Sequence, residues 1–143
     1  MFNLIKNHDC RQELKGFEVK ATPARLAVMK FLESSNQPVD VNAILDYLTR
    51  ESIHADPATI FRMMNAFVDK GILKKIDFRE GKTRYELSSK GDHHHLVCTN
   101  CGNVERIEDS HMKEFEEEIK KKKKFLVKSH SLEFFGICQN CQS

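Results

Sequence analysis

Up to Gly71 the apolar side chains recur every three or four positions, and beyond it they alternate. The first spacing is that of helices with one buried face, the second that of strands. "LIKNHDCRQELKGF" reads as a first helix with Leu4, Ile5, Leu14 and Phe17 as its apolar positions. Thr22-Pro23 supplies a capping side chain followed by proline in the first turn. Leu26, Val28, Met29 and Leu32 then form one face, and "SSNQP" ends the helix. "VNAILDYLTRE" predicts a third helix burying Val41, Ile44, Leu45 and Leu48. Asp56-Pro57 repeats the capping signal and opens "ATIFRMMNAFVDKG", which Gly71 terminates. Then come "ILKKIDF", a turn at "REGK", and "TRYELS", two strands of a hairpin. Helices followed by a two-stranded ribbon predict a winged helix-turn-helix.

The small polar segment "SSKGD" separates this part from the rest, so the expected division is 1–87, a hinge at 88–92, and 93–143. The second part opens with "HHHLVC" as a strand, and "NVERIE" predicts another. Ser110 is the expected cap of "HMKEFEEEIKKKKK", where Glu116, Glu117 and Glu118 stand four residues before Lys120, Lys121 and Lys122. That order favours ion pairs along one helix, so the lysine run reads as a solvated face. "SHSLEFFGIC" predicts a last strand. The class is α+β, and strands around one helix with an exposed edge suit pairing with a second copy.

Composition narrows the function. The 143 residues are 40% hydrophobic and 31% charged, with a net charge of +2. No apolar run approaches the roughly 20 residues of a membrane span, and the N-terminus lacks a signal-peptide core, so a cytoplasmic protein without membrane contact is expected. Residues 1–90 hold 15 Lys+Arg against 12 Asp+Glu, a difference of +3, and residues 91–143 hold 8 against 9, a difference of −1. A nucleic-acid surface therefore belongs to the first part. On "PATIFRMMNAFVDK" the side chains of Ile60, Met63, Met64 and Phe67 face one way, leaving Ala58, Thr59, Phe61, Arg62 and Asn65 outside. An exposed ring beside an arginine suits a helix entering a major groove, where Arg reads guanine or holds phosphate and the ring meets a thymine methyl. Lys74, Lys75, Lys82 and Arg84 on the ribbon are candidates for further phosphate contacts.

Five cysteines in a reducing compartment argue for metal chemistry over disulfides. Cys98/Cys101 and Cys138/Cys141 are two Cys-x-x-Cys pairs separated by 36 residues. Two such turns complete a tetrahedral four-sulfur zinc site with no open position for water, so it staples and does not catalyse. Cys10 stands alone and reads as a small apolar side chain. The strand "HHHLVC" adds a second possibility, because side chains alternate along it. His93 and His95 point one way, Asp92 and His94 the other, so one segment can feed two further metal sites.

Taken together, "TPARLAVMKFL", "ATIFRMMNAFVDKGIL", "GKTRYEL", "HHHLVCTNCG", "HSLEFFGIC" and the final Cys-x-x-Cys resemble, in order, the ferric uptake regulator family of bacterial metal-responsive repressors. The resemblance runs from about Gly16 to Cys141. It implies a winged-helix DNA reader hinged to an α/β dimerisation domain, a homodimer, and a palindromic AT-rich double-stranded operator. It implies a regulatory metal site of Glu86, His93 and His95 with an acid from the following strand; Arg106 occupies the usual acid position, leaving Glu105 or Glu108. Iron-type members add a histidine where this chain has Pro38, and zinc-type members a cysteine where it has Ser88 and Ser89, so Fe2+, Zn2+ and Mn2+ all remain candidate signals. A second site is implied on Asp92, His94 and His130; its helix glutamate falls on Lys113, so Glu114 or His111 is the expected substitute. Lys20, Thr22 and Arg25 match the family's contacts to DNA backbone or minor groove, joining Thr59, Phe61 and Arg62. Two other functions compete: a peroxide sensor of the same family, and a zinc enzyme built on Glu86, His93 and His95. The enzyme reading leaves the winged helix without a role, and the chain has no HExxH helix.

Overall fold

The computed structural model describes residues 9–91, 93–108, 111–128 and 130–142. Its order is α1 (Cys10–Gly16), α2 (Pro23–Ser34), α3 (Val41–Arg50), α4 (Pro57–Asp69), β1 (Leu73–Asp77), β2 (Thr83–Leu87), β3 (His93–Cys98), β4 (Val104–Glu108), α5 (Met112–Lys123) and β5 (Glu133–Gly136). Two compact units divide between Lys90 and Gly91, inside the predicted 88–92 hinge. Ser88–Lys90 form a 3-10 turn held to the first unit: the Ser88 amide donates to the Ile72 carbonyl, and Lys90 Nζ donates to the Ser35 carbonyl at 2.6 Å.

Each helix of the first unit starts on a side chain that accepts an otherwise unpaired amide. Asp9 accepts from Arg11 and Gln12, Thr22 from Arg25, Asp40 from Ala43, and Asp56 from Thr59. Such caps contribute about 1 kcal/mol each. Helix α4 ends on Gly71 at φ +83°, where the Gly71 amide reaches the Val68 carbonyl and the Ile72 amide the Phe67 carbonyl. That paired closure needs a left-handed residue, which glycine adopts without strain. It also drops buried Ile72 beside buried Phe67 and starts β1.

Leu14, Val28, Met29, Leu32, Ile44, Leu48, Ile60, Met64 and Phe67 are almost fully withdrawn from water and form one core. Leu26, Leu45 and Met63 pack at its margin, while Ala27, not predicted, is buried. Phe17 departs from expectation: it lies just past α1 and is 37% exposed. Leu4 and Ile5 lie outside the described residues. Cys10 is buried, as a small apolar side chain would be. Strands β1 and β2 pair antiparallel from Leu73↔Leu87 to Asp77↔Thr83, and an isolated Val39↔Tyr85 bridge ties the ribbon to the entry of α3.

In the second unit the sheet order is β4-β3-β5, with β3 antiparallel to β4 and parallel to β5. The parallel pairing is possible because α5 and its flanking loops carry the chain back to the same end of the sheet. The last strand is shorter than predicted, so His130 precedes it. Helix α5 begins after His111, which makes no side-chain cap bond; the predicted cap, Ser110, lies outside the described residues.

Candidate metal centres and nucleic-acid face

The four paired cysteines come together. Cys98 ends β3, Cys101 follows in the turn, Cys138 precedes the 3-10 turn after β5 and Cys141 is that turn's last residue; the parallel register of β5 sets Gly136 beside Cys98. Their sulfurs all lie within 4.8 Å of one another, and Cys101 Sγ and Cys138 Sγ are 3.7 Å apart. Cys98 Sγ accepts the amides of Cys101 at 3.5 Å and Cys138 at 3.3 Å. Those N–H groups hold its thiol down to about 6, so it is a thiolate at neutral pH. Hydrogen bonding with Cys141, which disfavours a second charge in the cluster, pushes Cys138 up to about 11. Four converging sulfurs with one already ionised are a donor set that fits a closed structural metal site.

The histidine strand splits as alternation requires. His93 and His95 share one face, their rings edge to face with centroids 4.9 Å apart. His94 lies opposite, its ring 5.3 Å from that of His130. All three strand histidines are buried. The β3–β4 register discriminates between the two candidate acids, because residues directly opposed across an antiparallel pair share a face. His93 opposes Glu108, and His95 opposes Arg106, whereas Glu105 opposes Leu96 on the His94 face. Glu105 is thus turned toward the opposite face of the sheet from His93 and His95. Arg106 approaches Glu108 at 3.9 Å, and Glu108 is largely exposed. Glu86 belongs to the first unit, where it is buried near the end of β2 and opposes Lys74.

At the His94 face the carboxylate is one the sequence reading missed. His130 Nδ1 and Glu116 Oε1 are 2.7 Å apart, while Glu114 and His111, the expected substitutes, are exposed. Asp92 lies outside the described residues. Glu116 follows Lys113 by three positions, so both lie on one helix face. That spacing was the available signal. Of the predicted lysine pairs along α5, Glu118 and Lys122 form one, at 2.5 Å.

On the first unit, Phe61 is 50% exposed and Arg62 is exposed, its Nη2 donating to Thr59 Oγ1 at 3.4 Å. That bond presents the guanidinium along the outer side of α4. Lys20 is exposed, Thr22 Oγ1 caps α2, and Arg25 Nη1 donates to the Lys20 carbonyl at 3.1 Å, joining these three in one segment. Two of the ribbon cations named as candidates for phosphate contacts also have partners within the first unit. Arg84 grips Glu80 through two bonds of 2.6 and 2.8 Å, donates to the Pro38 carbonyl at 3.0 Å, and covers Phe78. Lys82 pairs at 2.5 Å with Asp40, the cap of α3.

A winged helix with an Arg–Phe face, and a sheet unit carrying clustered cysteines and histidines, define a metal-responsive DNA-binding regulator. The model of the ferric uptake regulator family matches residues 16–135. A ferric uptake regulation protein of Bordetella parapertussis is 35% identical over 134 residues, covering 92% of this chain and 96% of that relative. One from Bacillus subtilis is 33% identical, covering 92% and 91%. Among solved structures, the ferric uptake regulator of Vibrio cholerae superposes with a TM-score of 0.73 at 32% identity, covering 91% of this chain and all of that one. The Campylobacter jejuni peroxide stress regulator gives 0.73 at 30% identity, covering 93% and 99%. The chain belongs to the ferric uptake regulator family and is a metal-responsive transcriptional regulator. The family's members are transcription regulators. No helix among the described residues is long and apolar enough to cross a membrane.

Proposed function

We propose that the chain is a cytoplasmic homodimeric repressor of metal-uptake or metal-homeostasis genes, holding Zn2+ on Cys98, Cys101, Cys138 and Cys141 and sensing Fe2+ or Zn2+, with Mn2+ a third candidate. The signal ion is held by Glu86, His93 and His95, with Glu108 as the acid on the same sheet face. The observation that carries this reading is the buried His93/His95 pair on the first strand after the hinge. Buried imidazoles at that separation suit one shared ion, and a buried carboxylate such as Glu86 suits a cationic partner. Metal bound there favours one arrangement of the two DNA readers and so raises affinity for a palindromic AT-rich operator. Lys20, Thr22, Arg25, Thr59, Phe61 and Arg62 form the DNA face. A second copy covers the apolar side chains that the second unit leaves exposed, Phe115, Phe125, Leu126, Phe134 and Ile137 among them.

The test is a fluorescence-polarisation titration of a family-type operator with Fe(II), Mn(II), Zn(II) and Ni(II) supplied separately. One ion should tighten binding at least tenfold, and affinity should fall steeply with salt. Equal affinity with every ion and with none overturns the sensing role. The resemblance to the Campylobacter jejuni regulator supports peroxide sensing as the second reading. It predicts oxygen added to His93 or His95 when the Fe(II)-loaded protein meets peroxide, read by mass spectrometry.

A further inference from the structure

Glu116 is the side chain on the His94 face that neither the sequence nor a position-by-position comparison with the family assigns. Its Oε1 lies 2.7 Å from His130 Nδ1. Both side chains are largely shielded, 30% and 23% exposed, so the bond is screened far less than one in open water. An ionised carboxylate only accepts, so His130 donates from Nδ1, which puts the lone pair of its neutral ring on Nε2. The ring of His94 is 5.3 Å away, centre to centre. An ion bonded to two imidazole nitrogens at about 2.0–2.1 Å with a tetrahedral angle separates the ring centres by about 5.2 Å. The two rings already stand at that spacing.

We propose that Glu116 is the positioning residue of a divalent-cation site on His94 and His130: it fixes the Nδ1–H tautomer of His130 so that Nε2 is the ligand atom. The inference rests on the second metal site that the family resemblance implies and adds a residue that organises it. Ligating histidines commonly donate their second nitrogen to a carboxylate, which orients the ring and makes the ligand more basic. The carboxylate also offsets the charge of the incoming ion without occupying its coordination sphere.

The test uses the full-length protein, zinc-loaded on its cysteines and labelled with 15N at histidine. Long-range 1H–15N correlation spectra should show His130 protonated at Nδ1 in the native chain. Glu116→Gln, whose amide oxygen still accepts, should keep that tautomer, and Glu116→Ala should shift it toward the Nε2–H form. In a His95→Ala background, which disables the regulatory site, added Zn2+ should move the resonances of His94 and of His130 Nε2 together. Glu116→Ala should weaken that binding about 10–100-fold. Thermal unfolding of each variant confirms that it is folded. A native His130 protonated at Nε2, Zn2+ shifting neither ring, or equal Zn2+ affinity in Glu116→Ala each overturns the proposal. Operator binding by the native chain reads the regulatory function separately, so either idea can fail while the other stands.

Discussion

At the scale of residues, the two faces of one strand carry different consequences. His95 shares its face with His93, and His94 stands with His130 on the other. His95→Ala should therefore abolish metal-dependent operator binding while leaving cysteine-bound zinc and dimerisation intact. His94→Ala should blunt the metal response only mildly. Operator titrations and zinc content of both variants check this, and the reverse pattern would show that the faces are misassigned. The cysteine cluster makes a pH prediction. Cys98 is ionised near neutrality, but Cys138 is pushed up to about 11, so in the metal-free chain it holds a proton that zinc must displace. Apparent zinc affinity should rise with pH, being weaker at about pH 6 than at about pH 8, as read by competition with a chromophoric chelator. The odd–even split of the histidines was legible because the period of a strand is fixed at two. The choice between Glu105 and Glu108 was not, because it depends on cross-strand register, which only the folded pairing sets. Glu116 was hidden for a related reason: which turn of α5 meets His130 depends on the loops at both ends of the helix.

At the scale of elements, the helices of the first unit were the most legible part. Asp or Thr caps with proline behind them, and Gly71 at the end of α4, are local signals that need no tertiary context. The outer face of α4 leads to a prediction. Arg62→Ala removes a charge from an exposed side chain outside the core, so unfolding should be little changed while operator binding weakens by about 1–3 kcal/mol. Unchanged affinity at moderate salt would show that α4 does not face the DNA. The ribbon behaves differently, because its cations were legible as charges but not as partners. Arg84 ties Glu80, the Pro38 carbonyl and Phe78 together, bracing the ribbon against the entry of α3. Arg84→Ala should lower the stability of the first unit by about 1–3 kcal/mol in a denaturant melt, from the lost bonds to a charged group. A loss confined to DNA affinity would mean that Arg84 faces phosphate after all.

At the scale of the whole molecule, the two units are stabilised by different means. The first has a continuous apolar core built from four helices and the ribbon. In the second, the described side chains that reach burial are Cys98 and the three strand histidines, and α5 buries none of its own. A unit of that size with so little apolar burial needs a metal, a partner, or both to stay folded. Its exposed Phe125 and Leu126, at 62% and 64%, are too apolar to face water without cost, and cover from a second copy removes that cost. Zinc removal should therefore act on one unit before the other. Stripping the protein with a strong chelator under reducing conditions should dissociate the dimer and open residues 91–143 to protease, while a fragment ending near Lys90 persists. Sedimentation velocity reads the first effect and mass spectrometry of a timed digest the second. A stripped chain that stays dimeric with its second unit protected would show that the thiolate site is dispensable for that unit's order.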